Sequence, residues 1–330
     1  MFSTIIQHRS LVKFVILLAG SSLIQAQSVG PNNADKIPVS AVQGASEVGL
    51  SLSSGFDYST GKFGLQDKTD TAVGYLTGKC SYKDWTVRVY VPYESISTSG
   101  AVTIVNGRPV ATGGLAGSGL TRAQILKQSG LTLVQFQALT AKQKQVVIDA
   151  AVKAAAASGS SATPSESRTR NSGFGDASIS GDFDIYSNKK TGTFISVTGG
   201  IKLATGDDEK GLGSGKTDYS LSADLYQIMG NFTPYMSIGY NLVGKPADSE
   251  LRDYYSVSIG STYSITTSTD IDFMFSTSGP SSQHSGVDSE ISLGVSQDLG
   301  DSWNVDLHAL VGVSSYAPDF GAGIRFRVSF

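Results

Sequence analysis

Few residues in this chain have the types and spacing that could do chemistry. Gly211-Leu-Gly-Ser-Gly-Lys-Thr217 has the glycines, lysine and threonine of a phosphate loop. It fails on spacing, because the first glycine of GxxxxGK[ST] would fall on Lys210. It also leads into a strand-like segment, so no helix N-terminus is there to hold phosphate. Asp207-Asp208-Glu209 offers carboxylates to a cation but lacks the spaced ligands of a calcium loop, so it reads as a solvated turn. Outside the N-terminal leader there are two histidines, His284 on a loop and His308 beside Asp306. A strand-borne His could activate a serine at a barrel wall. No GxSxG elbow is present, and serines are so common that none is singled out. His308 therefore reads first as part of a polar wall. Cys80 is alone, which rules out a disulfide or a thiolate metal cluster within the chain; it reads as a small buried apolar filler. Neither a cofactor nor a metal is expected, and the chain does not read as an enzyme.

The charged residues follow a strand rhythm. In the C-terminal stretch, Phe320, Ala322, Ile324, Phe326, Val328 and Phe330 share one parity, and Arg325 and Arg327 share the other. Strand side chains alternate between two faces, so this is one apolar face and one cationic face. The same separation holds from residue 174 onward. Ile179, Val197, Leu221, Ile238, Ile259, Phe273, Leu293 and Leu307 fall on the apolar parity. Asp176, Asp182, Asp184, Lys202, Asp224, Asp272, Glu290, Asp306 and His308 fall on the opposite one. Hydrocarbon on one side and water on the other would demand this pattern, because a misplaced Lys or Arg at the bilayer midplane costs about 2–4 kcal/mol.

The elements that must carry these residues are strands. Of 330 residues, 38 are Gly and only 16% are charged, a composition suited to a β protein with many turns. A basic start with Arg9 and Lys13, a short apolar core and Ile24-Gln25-Ala26 read as a signal peptide over residues 1–26. Without it the net charge is −5, from 23 basic and 28 acidic residues, which gives no support for nucleic-acid binding. Residues 27–46 read as a periplasmic tail. About twelve strand-like segments then follow between residues 47 and 330, and short turns alternate with longer polar loops. Open strand edges are intolerable in lipid, so such a set must close. The expected fold is all-β: an antiparallel transmembrane β-barrel of about twelve strands with a small helical insertion. Trp85, Trp303 and Phe330 would lie at the periplasmic interface.

The insertion, residues 95–173, breaks the rhythm. A hairpin is expected around Asn106-Gly107. Three Thr-x-x-Gln capping boxes, starting at Thr121, Thr132 and Thr140, predict two short helices and a longer one near 141–157. Ile125, Leu126, Leu133, Val134, Phe136, Leu139, Val147 and Ile148 could pack together. The insertion is expected to be extracellular, or to act as a plug.

Gly173-Phe-Gly-Asp-Ala-Ser-Ile-Ser180, Gly200-Ile-Lys-Leu-Ala-Thr-Gly-Asp207 and Gly211-Leu-Gly-Ser-Gly-Lys-Thr-Asp-Tyr219 resemble motifs of outer-membrane transporters called the MetA-pathway of phenol degradation family. Ala204 stands where that family usually has Pro, and the long helical insertion departs from its pattern. The resemblance implies a barrel passing hydrophobic or aromatic compounds, with no catalytic residues to carry over. The expected function is passive passage of small solutes across the bacterial outer membrane. Asp182, Asp184, Lys202, Asp224, Asp272, Asp306, His308, Arg325 and Arg327 would line the lumen, opposed charges setting a field across it. The aromatic-ended last strand, with Phe326, Val328 and Phe330, resembles the signal read by the barrel-assembly machinery. Expected partners are outer-membrane lipid, that machinery and a small-molecule solute. Two alternatives stay open: an outer-membrane hydrolase using His308, and a plugged structural or adhesive barrel whose insertion binds a partner.

Overall fold

The computed structural model describes residues 48–64, 68–98, 102–105, 107–111, 122–139, 141–157, 169–208, 210–246, 251–283 and 285–330. The expected signal peptide and tail, with Asn106, Thr121, Thr140, Glu209 and His284, lie outside them. Twelve antiparallel staves close on themselves. Three come first: β1 (Gly49–Gly61), β2 (Thr69–Tyr82) and β3 (Trp85–Thr98). The insertion follows, with β4 (Val102–Val105), β5 (Arg108–Ala111), α1 (Arg122–Ser129), α2 (Leu133–Gln137) and α3 (Ala141–Ala157). The fourth stave is split into β6 (Thr169–Phe174) and β7 (Ser178–Asn188), which pair with the upper and lower halves of β3. The remaining staves are β8 (Thr193–Lys202), β9 (Asp218–Gln227), β10 (Phe232–Leu242), β11 (Tyr254–Ser264), β12 (Thr269–Ser278), β13 (Asp288–Leu299), β14 (Trp303–Gly312) and β15 (Phe320–Ser329). β15 pairs with both β14 and β1, so the first and last strands form the seam and no edge is left.

Alternation fixes which side faces what. Outward residues such as Leu221, Ile238, Ile259, Leu293 and Leu307 are exposed, while Ser222, Ser237, Ser258, Ser292 and Asp306 beside them are buried. A soluble protein does not expose so large a contiguous apolar surface; here it is the lipid-facing belt. Aromatics bound this belt at two heights. Tyr58, Tyr93, Phe174, Tyr219, Tyr240, Tyr255 and Phe320 are exposed towards the long loops. Tyr82, Trp85, Phe183, Phe232, Tyr263, Trp303 and Phe330 are exposed towards the short turns.

The strands run further than the sequence suggests. β3 extends to Thr98 and β6 begins at Thr169, so the insertion is shorter at both ends than residues 95–173. In β7 the register shifts between Asp184 and Tyr186, which makes Ile185 the extra residue of a bulge and returns Tyr186 to the outer face. Cys80 corrects an expectation. It is exposed, pairs with Leu50 and Val87, and points outward with the even-numbered residues of β2 instead of filling a core.

Within the insertion, Thr132 caps α2 as its sequence predicts: its hydroxyl accepts from the Gln135 backbone, and the Gln135 side chain reaches back. Ile125, Phe136, Ile148 and Ala151 form a small core with Leu126, Leu131, Leu139 and Val147 against it. Val134 is exposed and takes no part. Gly107, at φ 77°, supplies the left-handed position of the two-residue turn joining β4 to β5.

Candidate transport path

The inner face is polar along most of its height, and its charges are held locally. The expected lumen residues all lie on it, but they pair along the wall and not across it. Arg88 on β3 is ion-paired to Asp182 on β7, and the Thr198 hydroxyl donates to Asp182 at 2.5 Å. Asp184 is half-buried on the same parity, opposite Ser196. Asp224 accepts from Ser222 at 3.4 Å. Asp272 accepts from Thr262 at 3.0 Å and from the Tyr235 hydroxyl at 3.4 Å. One oxygen of Asp306 takes both Arg325 at 2.8 Å and Arg327 at 3.1 Å. Neighbouring strands thus pair opposite charges at Arg88–Asp182 and at Asp306 with Arg325 and Arg327, whereas Asp224 and Asp272 are held by hydroxyl groups.

His308 sits one row from that triad. Its Nε2 lies 3.2 Å from Asp57 Oδ1, reaching over β15 at Gly323, the residue paired with both. A Cβ on Gly323 would fall 2.0 Å from that oxygen, so glycine is what lets the two side chains meet. His308 is thus buried against a carboxylate on the inner wall.

The family-like motifs converge on one ion-pair knot at the long-loop end. Lys202, at the end of β8, reaches Asp176 at 2.5 Å, Asp218 at 3.0 Å and the Ser214 hydroxyl at 3.1 Å. Asp176 also accepts from the Gly206 amide at 2.8 Å. These contacts fold the loop 203–217 inward and bury Leu212 against Ile96 and Ile104. Gly211–Thr217 is therefore a structural loop leading into β9. Asp207 is ion-paired to Lys210 at 2.8 Å, and no group of residues suited to a metal occurs among the described residues.

The β4–β5 hairpin spans the mouth. On one side Ile104 N–H donates to Gly211 O at 2.9 Å and the Thr103 hydroxyl to Gly213 O at 2.8 Å. On the other, the Arg108 guanidinium grips Asp288 and Glu290 of β13, the latter at 2.6 Å. Val105 and Val110 pack on Val243, Leu251 and Tyr254. Burial works against the charge on Arg108, but the two carboxylates outweigh it and hold the guanidinium above its usual value. Nearer the short turns, Phe194, Tyr226, Tyr235 and Met274 form an apolar cluster inside the wall. The path thus has a latched hairpin above and a buried, mostly aromatic cluster below.

Arg108, Asp288, Asp57, Glu94 and Asp218 were not singled out from sequence. Parity would have placed Asp57, Glu94 and Asp218 on the inner face. Nothing local marks Arg108 as the partner of residues 180 and 182 positions away.

A profile of the family described as "Putative MetA-pathway of phenol degradation" matches residues 100–330, which leaves out β1 to β3. Among solved structures, the chain is similar to the COG4313 outer membrane channel from Pseudomonas putida F1. The TM-score is 0.59 at 11% identity, over 89% of this chain and 99% of that one. This likeness is one of fold. The overlaps with the NanC porin (TM-score 0.45, 9% identity, 85% of this chain and 98% of that one) and with the CymD monoaromatic hydrocarbon channel (TM-score 0.38, 11% identity, 88% and 90%) are too loose to bear on function. No curated protein matches the sequence.

Proposed function

The chain belongs to the MetA-pathway of phenol degradation family, and from that membership we propose that it is a passive channel of the bacterial outer membrane for small solutes, hydrophobic and aromatic ones among them. The observation that carries this reading is the closed wall with an apolar outside and a polar inside, the arrangement that channels of the outer membrane share. The short turns then face the periplasm and the insertion faces outward. Twelve staves leave an interior between the side-chain-filled eight-stranded barrel and the open porins. The hairpin across the mouth narrows it further.

Protein reconstituted into liposomes is expected to let small neutral aromatics equilibrate down their gradient, with larger sugars excluded. Vesicles as tight as protein-free controls to every solute would remove the channel reading. The hydrolase alternative would use the His308–Asp57 pair on the inner wall, but no GxSxG serine accompanies it in the sequence.

The last strand has a second role in this proposal. β15 closes the seam while Phe326 and Phe330 point outward from it, a face that the assembly machinery can read before closure. Phe330→Ser should cut the heat-modifiable, membrane-inserted fraction several-fold in cells. An unchanged fraction would deny the residue that role.

A further inference from the structure

The helices of the insertion take no part in the barrel wall, whose ladder closes through β3 and β7 without them. Their core is Ile125, Phe136, Ile148 and Ala151, and no barrel residue enters it. Their charge sets them apart. Residues 122–157 hold five basic residues, Arg122, Lys127, Lys142, Lys144 and Lys153, and one acidic residue, Asp149. The rest of the chain after residue 26 holds 18 basic and 27 acidic residues, a net −9. A basic unit on an acidic chain is suited to an anionic partner. The barrel rim is not that partner, because its carboxylates have cations of their own. Asp207, Asp253 and Asp319 are ion-paired to Lys210, Lys245 and Lys68. Asp288 and Glu290 are held by Arg108, and Asp176 and Asp218 by Lys202. Lys144 is buried with its amine 5.8 Å from the centre of the Phe136 ring, whereas Lys127 and Lys153 are exposed. On α3, Gln143, Val146, Ala150, Lys153 and Ala154 recur at helical spacing and are exposed, opposite the buried Lys144, Ile148 and Ala151. That outer face is mostly small and apolar, with a cation at one end and Val146 63% exposed. Such a face suits a membrane interface, where apolar residues enter the headgroup layer and cations meet phosphate.

We propose that the exposed face of α3 docks on the phosphate groups of the anionic glycolipid, lipopolysaccharide, in the outer leaflet of the membrane around the barrel. Val146 and the alanines enter the headgroup layer, Lys153 meets phosphate oxygens, and Lys127 of α1 adds to the attraction. Docking holds the insertion against the membrane surface beside the mouth. The assignment rests on the outward placement of the insertion and not on the identity of the solute.

The test uses the full chain in lipid nanodiscs, as Val146→Cys on a Cys80→Ser background carrying an environment-sensitive fluorophore. Discs of phosphatidylcholine alone are compared with discs that also hold lipopolysaccharide, or the same lipopolysaccharide stripped of its phosphates. Fluorescence is expected to rise with intact lipopolysaccharide only. The rise should vanish between about 0.1 M and about 1 M salt, as the screening length falls from roughly 10 Å to 3 Å. Each lysine near an anionic surface contributes roughly fivefold to binding, so the paired reversal Lys127→Glu and Lys153→Glu should weaken docking by at least about tenfold. Hydrogen exchange at the buried Ile148 amide checks that the helices of the reversed variant stay folded. No rise with lipopolysaccharide, an equal rise without its phosphates, or a rise that survives the charge reversal would each overturn the docking. A rise given by inorganic phosphate in glycolipid-free discs would assign the face to a free anion and also overturn it. On intact cells at high salt, a membrane-impermeant maleimide should label the unmodified Val146→Cys variant. Labelling only after lysis would overturn the outward placement and this docking with it, whereas solute flux in liposomes tests the channel reading by itself.

Discussion

Arg108→Ala is expected to raise single-channel conductance and the open fraction sharply, because it removes the latch that holds the hairpin across the mouth. Arg108 is the cation that Asp288 and Glu290 share, and all three are largely out of water. Removing one partner of such a set leaves buried charge uncompensated, at a cost of about 3–5 kcal/mol. That cost falls on the docked state alone, since undocking returns the carboxylates to water. A shift of about 3 kcal/mol changes the docked-to-undocked ratio roughly a hundredfold. The apolar contacts of Val105 and Val110, and the Ile104 and Thr103 hydrogen bonds to the 211–213 loop, still favour docking, so the variant should flicker instead of staying open. Replacing residues 102–111 with a Gly/Ser linker should remove the flicker and leave the larger conductance. The strand ladder does not pass through the hairpin, so the thermal stability of the barrel should change little in either variant. Planar-bilayer recordings decide the matter. Conductance equal to wild type in the linker variant would mean that the hairpin does not obstruct the path.

The barrel itself was legible because lipid imposes a period of two on every strand, and a one-residue slip is penalised along the whole strand. That is why parity alone put Lys202, Asp224, Asp272, Asp306, Arg325 and Arg327 on the inner face, where they are buried. Cys80 shows the same rule neglected. It shares parity with Leu76 and Tyr82, so its outward position was readable. The expectation of burial came from the general habit of lone cysteines in soluble cores. The fourth stave was harder. Residues 174–186 read as one strand, but the chain leaves the ladder between Phe174 and Ser178. The Glu94 carboxylate presses on Gly175, where a Cβ would come within 2.5 Å of it, and Asp176 turns in to meet Lys202. Those causes come from β3 and β8, which no local pattern reveals.

The candidate path divides in the same way. Which residues face inward follows from local alternation. Which of them pair depends on stave order and stagger, and these emerge only when the sheet closes. Asp176, Lys202 and the Ser214–Asp218 pair occur in three motifs with no spacing rule between them, yet the inward fold of one loop brings them to a single point. The pairing of charges was not legible for this reason. Opposite charges were placed on the right face, but adjacent strands brought them together first, as with Arg88 and Asp182 or Asp306 and Arg325. The two-residue turn at Gly107 was readable, whereas the destination of Arg108 on the far side of the mouth was not.

Placing lysine on the outer face should cost stability in proportion to depth, which tests directly whether hydrocarbon wets that face. Ile259 lies midway along β11, paired with Met236 and Phe275, and is exposed. Tyr263 shares its parity two same-face steps nearer the short turn, paired with Phe232 and Ile271 near the short-turn aromatic ring. The two positions have similar exposure, 54% and 52%, so a soluble protein would tolerate lysine about equally at both. In a bilayer they differ. A lysine at mid-height cannot reach water without thinning the membrane, whereas one near the interface extends its amine into the headgroups. Ile259→Lys is therefore expected to destabilise folding into lipid by about 2–4 kcal/mol, and Tyr263→Lys by about 0–1 kcal/mol beyond the loss of its ring. Reversible urea titrations in thin-bilayer vesicles measure both against wild type. Equal costs at the two heights would mean that no hydrocarbon slab surrounds the barrel, and an outer-membrane channel could not be built on this fold.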